Sequence, residues 1–504
     1  MKTKHCFLNL FTASRGRGLQ SAGLLPVLWL LTACASPPAP RAVLAPVAAQ
    51  WHAPLPVSSA APVAHQGSLT DLSRWWEQQG DALLAELIAT GQAVSPTVAS
   101  ARSRIEQARA TRVGAGADLL PSLDASASVS RGPAQSGGPG AAAVVTTSQI
   151  GLQTAWEIDV FGGGLASRNA ATERLEGAQA QWHDARVSVA AEVANRYYSL
   201  TSCQGQLDVT RLDAASRTET ARLTDLSMRA GFTAPATGAL ARASAAEASA
   251  RATQQAAQCE LDTKALVALT GFQEPDLKQK MALAQPERAE AATISIATVP
   301  ADALAQRPDV FNAQREVAAA SDELGSAQAE RYPRLSLSGS IGKSQLRAGG
   351  ISTTFDTWSI GPLTLSLPLF DGGRRAANVD AAQARYAEAA AVYRGRVRQA
   401  VREVEEALVN LQSTADRRGA TQTAVDGYRA SFTGTQALYQ AGLASLVELE
   451  DARRTLLAAQ TSAVTLQRDQ RLASVALYRA MGGGWSPQLV GPADPAQAAQ
   501  AARR

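Results

Sequence analysis

Glu448 and Asp451 stand three residues apart in Leu443-Ala-Ser-Leu-Val-Glu448-Leu-Glu450-Asp451-Ala-Arg-Arg454, so on a helix both carboxylates share one face. Such a pair forms a negative patch that attracts cations. The plainer alternative is a solvated helix start, where the helix dipole favours Asp and Glu in any case. Other chemistry has little to draw on. Beyond residue 33 the only histidines are His52, His65 and His183, too scattered for a metal site. Gly339-Ser-Ile-Gly-Lys343-Ser344 imitates a phosphate-binding loop, but Leu337 occupies the place of its first glycine. No nucleophile and base constellation stands out, so neither an enzyme nor a bound cofactor or metal is expected.

The cysteines are more informative. Lys2, Lys4, Arg15 and Arg17 lead into the apolar run from Ala22 to Ala33, twelve residues and too short for a helical span. Residues 1–33 therefore read as a cleavable export signal. Leu31-Thr32-Ala33-Cys34 resembles a bacterial lipobox, making Cys34 the lipidated first residue of the mature chain. Ala35 follows it where an inner-membrane retention signal would carry Asp, which points to the outer membrane. Residues 34–74, Pro- and Ala-rich from Ser36 to about Gly67, read as a lipidated N-terminus and tether. The four basic groups of the signal account for the whole difference between 48 basic and 44 acidic side chains. A near-neutral mature chain has no general pull on nucleic acid.

No later stretch reaches 18 consecutive apolar residues, so any membrane crossing falls to strands. Four segments alternate suitably. Leu123, Ala125, Ala127 and Val129 oppose Asp124, Ser126, Ser128 and Ser130. Ile150, Leu152, Thr154, Trp156, Ile158 and Val160 oppose Gln153, Glu157 and Asp159. Leu335, Leu337 and Ile341 oppose Ser336, Ser338 and Ser340, while Leu363, Leu365, Leu367 and Leu369 oppose Thr364 and Ser366. Each is about ten residues, the length of a tilted transmembrane strand. Trp156, Phe161, Phe355, Trp358 and Phe370 are expected near strand ends as an interfacial belt. Gly132 to Thr147 and Lys343 to Thr353 are expected to be exposed hairpin loops.

The pattern occurs twice. Pro121 and Pro333 are 212 apart, Phe161 and Phe370 209, Gly231 and Gly442 211, and Gly271 and Gly482 211. This indicates two tandem repeats, 75–271 and 301–484, joined by an equatorial segment at 272–300 and followed by a tail at 485–504. Each repeat runs helix, strand, loop, strand, long helix, turn, long helix. Val397, Val401, Val404, Leu408 and Leu411 keep a coiled-coil seam spacing within the proline-free 67 residues from Arg374 to Gln440. At about 1.5 Å per residue that helix is roughly 100 Å long, some three bilayer cores. Its faces carry too many Arg, Glu, Asp and Gln for lipid, so it extends into water. Cys203 lies 28 residues before Gly231 and Cys259 28 after, which places them at a similar height on an antiparallel pair. In an oxidising compartment a disulfide is expected, with two free buried thiols as the alternative.

Lipid satisfies no open strand edge, so membrane sheets close. Four strands per chain cannot close alone, two chains give a filled eight-stranded barrel, and three give twelve strands around a lumen. The expected fold is an α+β membrane protein, a homotrimeric twelve-stranded β-barrel continued by a long α-helical coiled-coil periplasmic tunnel.

The lipobox, the duplicated architecture, the junctions Phe161-Gly162-Gly163 and Phe370-Asp371-Gly372-Gly373, and the turn Tyr439-Gln-Ala-Gly442 together resemble the outer membrane factors of tripartite efflux pumps. More narrowly, the chain is similar to the NodT-type lipoproteins related to TolC, from about Trp75 to Gly484. The resemblance implies a passive exit duct fed by a periplasmic adaptor and an inner-membrane pump, with the resistance-nodulation-division class expected. It implies that Gly231 and Gly442 mark the helix tips where the adaptor docks. It places Glu448 and Asp451 at a closed periplasmic aperture, six carboxylates in a trimer, and Tyr439 in the network around it. Ala444 stands where TolC carries an arginine, so the closed state is expected either to lack that tether or to use Arg453 or Arg454 instead. The runner-up is a lipid-anchored periplasmic coiled-coil spacer without a pore.

Overall fold

A computed structural model describes residues 39–47, 50–53, 75–134, 143–283 and 304–485. The signal peptide, Cys34, most of the tether, the end of the equatorial segment and nearly all of the tail lie outside the described residues. From Pro40 onward the described chain is one body.

Three helices open it, α1 (Trp75–Gln78), α2 (Ala82–Val94) and α3 (Pro96–Ala117). Asp81 caps α2 by accepting from the Leu84 N–H at 3.0 Å, and Ser95 caps α3 with Pro96 in its first turn. Strands β1 (Ser122–Ala134) and β2 (Ala143–Ile158) lead to α4 (Gly163–Arg229) and α5 (Pro235–Thr270). After α6 (Glu274–Leu283) and α7 (Pro308–Ala329) the order recurs as β3 (Arg334–Ala348), β4 (Ile351–Ser366), α8 (Arg374–Gln440) and α9 (Leu446–Ala480). The two longest helices are each 67 residues.

All four strands form one antiparallel sheet in the order β1-β2-β3-β4, leaving β1 and β4 as open edges. The strands run 13 to 16 residues, longer than the expected ten, because the hairpin ends are themselves paired. Lys343 to Ala348 belongs to β3 and Thr353 to β4, so the second loop shrinks to Gly349-Gly350. Both glycines have positive φ, 56° and 86°, the conformation of a two-residue turn that matches strand twist. Leu367 and Leu369, expected on β4, fall beyond its end at Ser366.

No described helix is by itself long and apolar enough to cross a membrane. The bent pair α2 and α3 passes on length and composition, but α2 buries Leu84 and Leu87 completely in the protein core. That core lies where α1, α2 and α6 wrap the long helices. Trp75 stacks on Tyr478 at 4.9 Å, and Tyr197 donates to Asp81 Oδ2 at 2.6 Å. Along α8 the expected seam is present: Val397, Val404 and Leu408 are buried, with Val401 and Leu411 half-buried.

Part of the expected tether is docked. Arg41 bridges Glu173 on α4 and Asp322 on α7, each at 2.8 Å. Glu405 on α8 accepts both the His52 and Ala53 N–H groups at 2.7 Å. An extended segment leaves its backbone donors unpaired, and the helix-face carboxylate satisfies two of them.

Candidate functional site

Cross-strand register decides what each face of the sheet presents, because paired residues share a face. From the helix side toward the hairpin ends, one face reads in rows Ile158–Leu335–Leu365, Trp156–Leu337–Leu363, Leu123–Thr154–Gly339–Ile360 and Ala125–Leu152–Ile341–Trp358. Most of these apolar side chains are solvent-exposed, Trp358 at 74% and Ile360 at 87%. The opposite face carries Asp124, Ser126, Gln149, Gln153, Ser336, Ser340, Thr357 and Ser359. Hydroxyls and amides bond across it, Ser340 with Ser359 at 2.9 Å and Gln153 with Ser126 at 3.3 Å.

A bulge holds this division together. Leu337 pairs with Leu363 but Gly339 pairs with Ile360, so β4 takes one residue more than β3, at Gly361-Pro362. Without it, Trp358 and Ile360 would face away from Leu363 and Leu365. The expected aromatic belt is corrected here. Trp358 lies midway along β4, and Phe355, paired with Ser344, is on the polar face. Trp156 does sit near the helix-side end of β2, where its Nε1 donates to the Leu119 carbonyl at 3.0 Å.

The apolar band is slanted. Its unbroken apolar stretch ends toward the hairpins at Val129 on β1, Ile150 on β2, Ile341 on β3 and Trp358 on β4, with Pro133 and Val144 apart from it beyond Arg131 and Thr146. The edge thus drops two rows, about 13 Å along the strands against about 14 Å across the sheet. That slope is close to the roughly 40° tilt of barrel strands.

The strand-to-helix junctions solve one problem in two ways. Gly162 (φ 75°) is the N-cap of α4, and Gly163 permits a close approach, since a Cβ there would lie 3.0 Å from the Ala329 side chain. Phe161 stacks on Tyr332 at 4.9 Å. At the second junction Gly372 and Gly373 both have positive φ, 66° and 88°, and Phe370 is 93% exposed. Aspartates tie each turn down, Asp159 accepting from Leu165 N at 2.7 Å and Asp371 from Gly373 N at 3.0 Å.

At the far ends, Gly231 (φ 81°) and Gly442 (φ 75°) close α4 and α8 by one pattern. Phe232 N–H reaches back to the Ser227 carbonyl at 2.9 Å and Leu443 N–H to Leu438 at 2.8 Å, the six-to-one bond of a glycine-terminated helix. The two tips pack side by side. Ala241, Leu446 and Leu449 are buried against Ala221, Phe432 and Tyr439, and the Tyr439 hydroxyl is 3.1 Å from that of Thr224.

Glu448 and Asp451 are both exposed on the protomer, but each already has a local partner. Glu448 completes a capping box, accepting from Ser445 N at 2.6 Å while Ser445 Oγ accepts from Glu448 N at 3.2 Å. The bond from Ser445 N–H, then the Ser445 hydroxyl, holds the Glu448 carboxyl below the usual range. Asp451 pairs with Arg454. First-copy positions 237, 239 and 240 carry no acid.

The carboxylate that sequence reading passed over is Glu450. It pairs with Arg217 on α4, accepts from Ser244 on α5 at 2.8 Å, and accepts from Arg453 at 2.7 Å. Arg217 also holds Asp213 through two 3.0 Å bonds, and Arg453 reaches Ser216 at 3.0 Å and Thr220 at 3.1 Å. Burial pushes the Arg453 guanidinium below its ordinary value; Glu450 opposes this and neighbouring Arg217 adds to it. Of the two arginines expected as tethers, Arg453 is the one that joins α9 to α4. A signal was present: Leu446, Leu449 and Arg453 keep seam spacing, as do Asp213, Arg217 and Thr224, so charged residues occupy core positions.

Cys203 and Cys259 are joined by a disulfide between α4 and α5, with Cα atoms 5.5 Å apart.

A single sheet with one lipid-compatible face, carried on helical hairpins several bilayers long, defines the class of outer-membrane ducts with periplasmic extensions. The chain belongs to the outer membrane efflux protein family, whose model matches residues 87–272 and 299–483. It is 29% identical to the solvent efflux pump outer membrane protein SrpC of Pseudomonas putida, over 91% of this chain and 97% of that one. Nodulation protein T of Rhizobium leguminosarum bv. viciae is 27% identical over 95% of this chain and 97% of its own length. The crystal structure of VceC from Vibrio cholerae superposes with a TM-score of 0.70 at 26% identity, covering 81% of this chain and 98% of that one. The protein is therefore an outer-membrane efflux channel with a TolC-like fold. It sits in the outer membrane, and its helical body extends into the periplasm.

Proposed function

We propose that three copies close a twelve-stranded barrel and a continuous helical tunnel, forming a passive exit duct. The slanted apolar band on one sheet face, with two open edges, carries this reading: four tilted strands need partners on both sides. Edge β4 of one protomer would pair with β1 of the next, and the polar face would line the lumen. Nothing in that lining suggests a catalytic step, so energy comes from an inner-membrane pump, of the resistance-nodulation-division class by resemblance, through a periplasmic adaptor docked at the Gly231 and Gly442 tips. Cargo is handed over by the pump, and small molecules of the kind named for the solvent-efflux relative fit a lining dominated by Ser, Thr and Gln. Cys34 would carry the anchoring lipid.

The aperture belongs at the tips. Glu448 and Asp451 would form its acidic ring, with Tyr439 linking α8 to α4 beside it. The test is the native mass of the detergent-extracted protein, followed by conductance. A trimer with cation-favouring channels, weakened in Glu448→Ala, Asp451→Ala, supports the duct. A stable monomer leaves four strands unclosed and returns the chain to an anchored periplasmic spacer.

A further inference from the structure

Beyond the apolar band the same sheet face carries the row Arg131–Thr146–Arg347–Ser352, one residue from each strand, followed on β1 and β2 by Pro133–Val144 at the hairpin end. Two guanidinium groups flank a hydroxyl, with Cα atoms about 10 Å apart across two strand spacings. Both arginines are exposed, and among the described residues neither has an ion-pair partner. Lys343, four residues nearer the band than Arg347, is neutralised by Asp356 at 3.1 Å. Arg131 follows Val129 directly on its face, and Arg347 lies six residues past Ile341. The row therefore starts at the apolar boundary and climbs away from it.

Unpaired arginines on a lipid-facing surface, the first at the apolar boundary and the second above it, have phosphate as their natural counter-charge. Guanidinium forks bind phosphate oxygens bidentately, and Thr146 and Ser352 supply hydroxyl donors between and beside them. Charges meant to select passing ions would face the lumen, and these face away from it.

We propose that Arg131, Thr146, Arg347 and Ser352 form a binding site for the phosphate of an outer-leaflet lipid headgroup. The inference rests on the barrel reading, which orients this face toward lipid. Its test is native mass spectrometry of the full-length protein from neutral phosphatidylcholine nanodiscs doped with diphosphoryl lipid A or its fully dephosphorylated form. The wild-type trimer is expected to retain the diphosphoryl form about tenfold or more over the other, and Arg131→Ala, Arg347→Ala to lose that preference. Arg131→Lys, Arg347→Lys keeps the charge without the fork and is expected to fall between. Equal retention by the alanine variant, or of the dephosphorylated lipid, overturns the site. So does inorganic phosphate that binds the lipid-free protein at these arginines and displaces the lipid, since the site is then one for free anions. The same spectra give the chain count. A wild-type monomer removes the barrel reading and the site with it, whereas a trimer indifferent to phosphate removes the site alone.

Discussion

At the residue scale, Glu450 shows how a charge within a helical seam differs from one on its surface. Its carboxylate stands between two arginines whose side chains are under a tenth exposed, and it touches all three helices α4, α5 and α9 through Arg217, Ser244 and its own turn. Replacing it leaves two buried guanidinium groups with Asp213 as their remaining nearby carboxylate. Glu450→Ala is expected to cost about 3–5 kcal/mol, read as a lower denaturation midpoint by circular dichroism, with Glu450→Gln recovering part. An unchanged midpoint would falsify the role given to this network. Removing the Cys203–Cys259 bridge by double serine substitution frees a 56-residue separation in the unfolded chain. The chain-entropy account puts that loss at about 4 kcal/mol as an upper figure, measured in the same melt. His183, packed 4.8 Å from Trp182, has its pKa lowered from 6.5 to about 4, by burial first and Arg186 second. Folded His183 therefore stays neutral where the unfolded chain takes up a proton. Its contribution is intact above pH 6.5 and drains away as pH falls toward about 4. His183→Gln should flatten that part of the stability profile; a slope identical to wild type would assign it to other groups.

At the element scale, β4 depends on one extra residue. Deleting Pro362 would restore simple pairing and turn Trp358 and Ile360 toward the polar face while Leu363 and Leu365 stay outward. The variant is expected to lose heat-modifiable migration and membrane insertion, whereas an Ile360→Leu control keeps both. The tips carry a milder prediction. Gly442 at φ 75° has open space around it, so Gly442→Ala meets backbone strain alone, about 1 kcal/mol. Adaptor binding in a pull-down should survive that change better than Leu443→Asp, which places charge on a 76% exposed tip leucine.

At the scale of the whole molecule, much was legible in advance because the signals are periodic. Alternation of period two marked all four strands, seam spacing marked the long helices, and the 211-residue offset of Gly231 and Gly442 marked equivalent turns. The candidate site was less legible, since Glu448 and Asp451 were visible as a pair while Glu450, between them, was passed over. Spacing along one helix cannot say which acid meets a partner helix 233 residues away in sequence. By itself the sequence determined the element types, their order and the existence of an apolar strand face, all of which follow from local periodicity and backbone propensity. Tertiary structure alone decided the register, the Gly361-Pro362 bulge that makes that face continuous, the Arg131–Thr146–Arg347 row and the buried Glu450 network. Each of these requires segments distant in the chain to meet at a fixed offset, and one residue of slip would turn every strand side chain to the other face.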